Sequence, residues 1–187
     1  METIKKEDYT FAADIEKTRE YYKTNSLCGC SCCRNYYAQI KNKFPKLSDF
    51  LSDFGIDISK PDEIISIETD SEINYMNIDY TVCGSIEKAG QNEIEIYDNL
   101  PLKIIVTDGF VSPNGQHGEY FTISVEGIEL PWFLNEPFPK PITKSPKFKH
   151  KNLLRKIFKN RTNGKPQIRR WRNLRFYFMR YFLLAFS

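Results

Sequence analysis

The last 48 residues of this chain, 140–187, contain no aspartate or glutamate. They carry 15 lysines and arginines, whereas residues 1–139 carry all 24 acidic residues and 12 basic ones. The formal charge of +3 therefore combines a segment at −12 with a segment at +15. Such asymmetry points to charged partners, or to one segment held by the other. It divides the chain into an acidic domain, 1–139, and a basic linker and tail, 140–187.

Long apolar runs are also missing. None reaches the roughly 20 residues that a helix needs to span a bilayer, so we expect no transmembrane segment. The segment Met1–Asp8 is polar and acidic and lacks the apolar core of a secretory signal. Four of the five cysteines lie within six positions, which is unlike a secreted disulfide framework. These features favour a soluble, cytoplasmic protein.

Catalytic motifs are scarce as well. The two histidines, His117 and His150, have no neighbouring serine, cysteine or carboxylate in a recognisable nucleophile motif. The chain has no glycine-rich phosphate loop, no H-E-x-x-H and no G-x-S-x-G. A site assembled from distant positions would leave no motif, but the pattern favours a protein that is not an enzyme.

The first third of the chain carries helical signals. Asp14 can cap a helix that Asn25-Ser26 interrupts, and a second helix starts inside the cysteine cluster. Pro45 suits the first turn of a third helix, and Gly55 suits the position just after its end. Three helices are therefore predicted before Pro61.

After Pro61 the apolar period changes from near four to two, which is typical of strands. In the clearest run, Met76, Ile78, Tyr80 and Val82 share one face and Asn77, Asp79 and Thr81 the other. Further runs surround Ile65, Ile94, Ile104 and Ile123, and Pro113-Asn114-Gly115 is a turn signal. We expect an α+β fold, with N-terminal helices packed on an antiparallel sheet of four to five strands and followed by a basic, partly helical C-terminal tail.

The cysteine cluster, Cys28-Gly29-Cys30-Ser31-Cys32-Cys33, is the one compact group of soft ligands. Cys30 and Cys33 form a C-x-x-C pair at a helix start, where backbone N–H groups and the helix dipole favour a thiolate. Zinc normally takes four ligands, so the predicted set is Cys28, Cys30 and Cys33 with Cys83 from the sheet, or with His117 in its place. Two alternatives stay open: reduced cysteines that only pack, and redox chemistry.

The acidic domain offers candidate partner-binding residues. Acidic side chains on the third helix and in the sheet, with a tyrosine as an aromatic anchor, would suit a basic protein partner. The predicted residues are Asp49, Asp53, Asp79 and Tyr75. Immunity proteins neutralise basic toxic enzymes with a surface of this kind. The alternative is that the charge serves solubility alone.

Three interpretations of the basic tail compete. Its arginines and aromatics can bind nucleic acid, or it can lie on an anionic membrane surface as an amphipathic helix. It can also be an appended or out-of-frame extension. The residues proposed for nucleic-acid or membrane contact are Arg169, Arg170, Trp171, Arg172 and Arg175.

Three stretches carry a likeness to known sequences. They are Leu27-Cys28-x-Cys30-x-x-Cys33-Arg34-Asn35-Tyr36, Phe44-Pro45-Lys46-Leu47 and Asp108-Gly109-Phe110-Val111-Ser112-Pro113-Asn114. With them, residues 7 to about 139 resemble a family of short uncharacterised proteins of Gram-positive bacteria, and the tail does not. The resemblance implies a domain boundary near Pro139 and no established activity.

Two functions of different classes follow from these observations. The first is a non-catalytic bacterial protein-binding domain, an immunity- or antitoxin-like factor that neutralises a basic partner. The alternative is a small zinc-binding module whose basic tail associates with nucleic acid or a membrane surface.

Overall fold

The computed structural model describes residues 1–69, 72–108 and 118–139. The predicted tail with Arg169, Arg170, Trp171, Arg172 and Arg175 lies outside the described residues, as do both histidines and the 113–115 turn. Within the described ranges two strands come first, then three helices, then five strands. These are β1 (Glu2–Lys6), β2 (Tyr9–Ala13), α1 (Ile15–Thr24), α2 (Ser31–Lys43), α3 (Pro45–Ser52), β3 (Glu63–Glu68), β4 (Glu72–Lys88), β5 (Lys103–Asp108), β6 (Tyr120–Glu126) and β7 (Ile128–Pro131).

The strands form one antiparallel sheet around β4, which is 17 residues long. On one side β4 pairs first with β3 and then with β2, and β2 pairs with β1. On its other side β4 pairs with β7 and then with β6, and β6 pairs with β5. The α+β class and the antiparallel sheet are as predicted.

The predicted number of strands was wrong, because the described part of the chain has seven rather than four or five. The β1–β2 hairpin precedes the helices and was missed, since β1 is mostly exposed and has no clear apolar alternation. β7 was missed because it follows β6 after the single residue Gly127. Ile94, expected in a strand, makes only an isolated bridge to Ile104.

The helices begin and end close to where their local signals lie. The Asp14 carboxylate caps α1 by accepting a hydrogen bond from Lys17 N at 3.0 Å. Cys30 caps α2, and Pro45 is the first residue of α3. Gly55, at φ +80°, follows α3 in the left-handed conformation that ends many helices. The starts of α1 and α3 were therefore predictable from a cap and a proline.

A bulge in β4 corrects the predicted alternation. The pairing with β3 passes from Ile65↔Asn77 directly to Ser66↔Tyr75, so Met76 is skipped. Ile78, Tyr80 and Val82 are buried, as predicted, and the extra residue returns Tyr75 to full burial beside them. Tyr75 packs against Tyr36 of α2, with ring centroids 5.2 Å apart. The helix-facing side of the sheet thus runs continuously through the bulge.

The core lies between the three helices and this face of the sheet. α2 contributes Tyr36 and Ile40, both fully buried, against β4. The Tyr36 and Tyr80 hydroxyls lie 2.6 Å apart, and Tyr80 donates to the carbonyl oxygen of Ile58 at 2.8 Å. Two buried tyrosines therefore have their hydroxyls satisfied, as burial of a polar group requires.

α1 fills a gap in the sheet. Between the end of the β3 pairing at Asp79 and the start of the β2 pairing at Gly84, no strand covers this side of β4 within the described residues. Thr18 Oγ1 accepts from Cys83 N at 3.0 Å, and Asp62 Oδ2 accepts from Thr81 N at 2.8 Å. Side chains thus replace the missing strand hydrogen bonds.

No helix in the described part of the chain has the length and apolar character that crossing a membrane requires.

Candidate metal centre

Three cysteine thiols converge at the start of α2. The sulfur atoms of Cys28, Cys30 and Cys33 all lie within 4.8 Å of one another. Cys30 is the N-cap residue, and its sulfur accepts a hydrogen bond from Cys33 N at 3.4 Å. Cys33 lies one turn further along, and Cys28 comes from the segment before the helix. The C-x-x-C pair therefore lies at a helix N-terminus, as the sequence predicted.

The three thiols differ in solvent exposure and in acidity. Cys28 and Cys30 are exposed, whereas Cys33 is buried. Hydrogen bonds from the backbone and the thiol of Cys30 lower the pKa of Cys28. Burial, with Cys30 and Cys28 alongside, raises the pKa of Cys33. The pKa is thus lowered at Cys28 and raised at Cys33, and three thiolates together would need a cation to offset their mutual repulsion.

Tyr37 adjoins the three thiols, one helical turn beyond Cys33. Burial raises the pKa of Tyr37, as do its contact with the Cys33 thiol and the nearby Cys28. The backbone of Cys28 also hydrogen bonds to its hydroxyl. Tyr37 therefore stays a neutral phenol that borders the buried side of the cluster.

Arg34 holds the segment before α2 in place. Its Nε donates to the carbonyl oxygen of Gly29 at 3.1 Å, between the first two cysteines. Its Nη2 contacts both carboxylate oxygens of Glu136, at 2.7 and 2.9 Å. The guanidinium thus joins the cysteine segment to the last described segment.

Polar side chains of α2 also bind the segment after β7. Asn35 Nδ2 donates to the carbonyl oxygen of Pro131 at 3.2 Å, and its Oδ1 accepts from Phe133 N at 2.8 Å. Gln39 Nε2 donates to the same Pro131 oxygen at 2.9 Å. Because both side chains are buried, these bonds fix how α2 lies on the sheet edge.

The structure does not bring Cys83 to the cluster, contrary to the predicted ligand set. Cys83 lies on β4 opposite Tyr120, and its backbone nitrogen bonds to Thr18 of α1. Burial raises the pKa of its thiol. Cys32, on α2, also points elsewhere: its sulfur donates to Glu68 Oε1 at 3.4 Å. Spacing places three cysteines correctly, but it cannot show which distant strand residue approaches them.

Two of the four predicted partner-binding residues face solvent. Asp49 and Asp53 are exposed at the end of α3, where Asp53 pairs with Lys6 at 2.5 Å. Asp79 is 6% exposed, and Tyr75 is fully buried with its hydroxyl donating to Cys32 O at 2.8 Å. Neither side chain is therefore presented to a partner. For Tyr75 the cause is the bulge in β4, which puts it on the helix-facing side.

Sequence reasoning did not assign the residues that support the cluster. Arg34 and Asn35 follow Cys33 directly, but each also contacts a residue about 100 positions away. Glu136 has no local signal at all. These contacts depend on the pairing of β7 with the first half of β4, which brings the segment that contains Glu136 to α2.

No protein-family model, no curated protein and no solved structure matches this chain.

Proposed function

We propose that this domain binds a soft metal ion, zinc in the first instance, through Cys28, Cys30 and Cys33. The observation that supports the proposal is the convergence of three sulfurs within 4.8 Å at one helix N-terminus. Thiolate sulfur is the ligand that zinc and other soft ions prefer in proteins. A bound cation would also offset the mutual repulsion of the three thiolates that bind it.

The charges around the cluster fit a tris-thiolate site. Three thiolates around a divalent ion leave one net negative charge. The positive end of the α2 dipole lies beside it, at the helix start that Cys30 caps. Within the described residues no fourth cysteine, histidine or carboxylate joins the group. The fourth zinc position would be filled by water or by a group from elsewhere.

Metal analysis of the full-length protein tests this proposal. We expect one zinc per chain after purification under reducing conditions, and loss of that zinc in Cys28→Ser, Cys30→Ser and Cys33→Ser. Cys83→Ser is the matched control, because it removes a thiol that lies on β4 away from the cluster. A zinc-free wild type, or equal zinc in all four variants, would contradict the proposal.

The second candidate is the non-catalytic protein-binding function, an immunity- or antitoxin-like factor for a basic partner. Residues 61–87 favour it, because they contain no lysine or arginine and carry exposed carboxylates at Glu63, Glu72 and Glu87. Asp49 and Asp53 add exposed carboxylates on α3. A surface of one sign speeds the encounter with an oppositely charged protein. Under either function the tail, 140–187, would supply any association with nucleic acid or anionic membrane.

Affinity capture at two ionic strengths tests the second function. A specific basic partner, retained at low salt and released at moderate salt, is expected, with weaker retention by Asp49→Lys. The matched control is Glu16→Lys, which reverses one exposed charge on α1 instead. If no basic protein is enriched, or if the two variants behave alike, α3 is not the contact surface.

A further inference from the structure

The β3 strand has one unpaired edge. It pairs with β4 along one side, and within the described residues no strand pairs with its other side. On the face away from the helices, Ile65 and Ile67 are 40% and 52% exposed. Their neighbours across the strand pair are polar, Asn77 and Asn74. Among the described residues, β3 thus presents an edge that no strand pairs, together with two apolar side chains that are partly exposed.

The edge lacks three of the devices by which natural sheets prevent strand addition. Those devices include lysines, prolines and bulges on the edge strand itself. β1, an edge strand of the same sheet, carries Lys5 and Lys6. β3 reads Glu-Ile-Ile-Ser-Ile-Glu, without lysine or proline, and the bulge lies in β4 instead. An edge of this kind is a template for another extended segment.

The charge around β3 selects the kind of segment. Glu63 and Glu68 lie at its two ends, and exposed Glu72 begins β4 beside it. The nearest basic residues along the chain are Lys60 and Lys88, outside this acidic run. A strand with alternating apolar and basic residues would cover Ile65 and Ile67 on one face and bring its basic residues towards Glu68 on the other.

We infer that β3 accepts an extended basic segment of a partner protein as an added antiparallel or parallel strand. Main-chain hydrogen bonds would supply affinity, and contacts with Ile65 and Ile67 would supply selectivity for alternating apolar side chains. The inference rests on the proposed protein-binding function, which it makes specific. A second copy of β3 is a poor occupant, because it would bring a second acidic strand, from a run without lysine or arginine, beside the first.

A synthetic peptide is the probe. An end-blocked octapeptide of alternating lysine and valine is titrated into the full-length protein, and hydrogen exchange of the β3 amides is measured. We expect saturable binding and slower exchange of β3 amides on binding. The same peptide with glutamate for lysine should not bind. If the β3 amides that point away from β4 exchange slowly before any peptide is added, the chain itself or a second copy already occupies the edge, and the inference is overturned.

Lysine substitutions on β3 complete the test. Ile65→Lys and Ile67→Lys should each weaken peptide binding at least tenfold, because they add positive charge and remove the apolar contact. Leu100→Lys is the matched control, since Leu100 is 45% exposed and lies outside β3. If all three variants bind the peptide equally weakly, or if none binds it more weakly than the wild type, the strand-addition inference is overturned. If a captured basic partner binds the β3 variants as well as the wild type, the protein-binding function is supported and only β3 is rejected as its contact surface.

Discussion

The hydroxyl of Tyr22 accepts a hydrogen bond from the backbone nitrogen of Thr81 at 2.8 Å and donates one to its carbonyl oxygen at 3.0 Å. One phenol therefore satisfies both main-chain groups of a buried residue in the middle of β4. Asp62 accepts a further hydrogen bond from the same nitrogen at 2.8 Å. The contact joins α1 to the sheet at a position where the described residues provide no strand.

Tyr22→Phe should destabilise the protein by about 1–3 kcal/mol, since it leaves the Thr81 carbonyl without its partner in a buried position. Equilibrium unfolding in urea measures this. Tyr120→Phe is the control, because the Tyr120 hydroxyl, on β6, makes no hydrogen bond that the described structure shows. Equal stability of the two variants would mean that water replaces the lost contact.

Arg34→Ala should weaken zinc binding about tenfold or more, because the Gly29 carbonyl then loses its donor and the segment before α2 is less ordered. Competition with a zinc chelator measures the affinity. Arg19→Ala removes an arginine whose ion pair with Glu16 lies on α1, and serves as the control. If both variants bind zinc like the wild type, Arg34 has no part in ordering the ligands.

Asp79→Asn should change how stability depends on pH. Burial raises the pKa of Asp79, although Ser124 and Asn77 donate hydrogen bonds that lower it. The folded state therefore binds the proton more tightly than the unfolded chain. Protonation of Asp79 therefore adds to the free energy of unfolding. This contribution is present in full below the unfolded pKa of about 3.9, and it is lost as pH rises through the higher folded pKa.

The asparagine variant should accordingly gain unfolding free energy relative to the wild type as pH rises from about 4 towards neutrality. Its Oδ1 can still accept both hydrogen bonds, so the fold should be kept. Urea titrations at several pH values measure the difference. Asp49→Asn, at an exposed position, controls for the loss of one negative charge. If the free energy of unfolding of Asp79→Asn instead falls relative to the wild type as pH rises, the folded state stabilises the charged carboxylate rather than destabilising it.

Gly84→Ala should lower the free energy of unfolding by roughly 2 kcal/mol or more. Gly84 has φ +140°, and an added Cβ would lie 2.1 Å from the carbonyl oxygen of Ala12 on β2. Either β2 moves away from β4 or the backbone rotates. Gly29→Ala is the control, because nothing lies within 4 Å of its Cβ position. Thermal unfolding of the two variants gives the comparison.

Much of the fold followed from short-range signals. Asp14, Pro45 and Gly55 marked helix ends correctly, because capping and backbone preference act within a few residues. The bulge at Met76 carried no such signal. The bulge forms if packing Tyr75 against Tyr36 contributes more free energy than the sheet loses where its regular pairing is interrupted. Alternation alone predicts the opposite face for Tyr75.

The cysteine site divides in the same way. Local spacing and helix capping specified that Cys28, Cys30 and Cys33 approach one another, since all three lie within one turn of the start of α2. The separation of Cys83 from them, and the contact of Arg34 with Glu136, depended on how β4 and β7 pair across the sheet. Neighbouring residues cannot encode such pairing individually, because it is selected by the packing of the whole core.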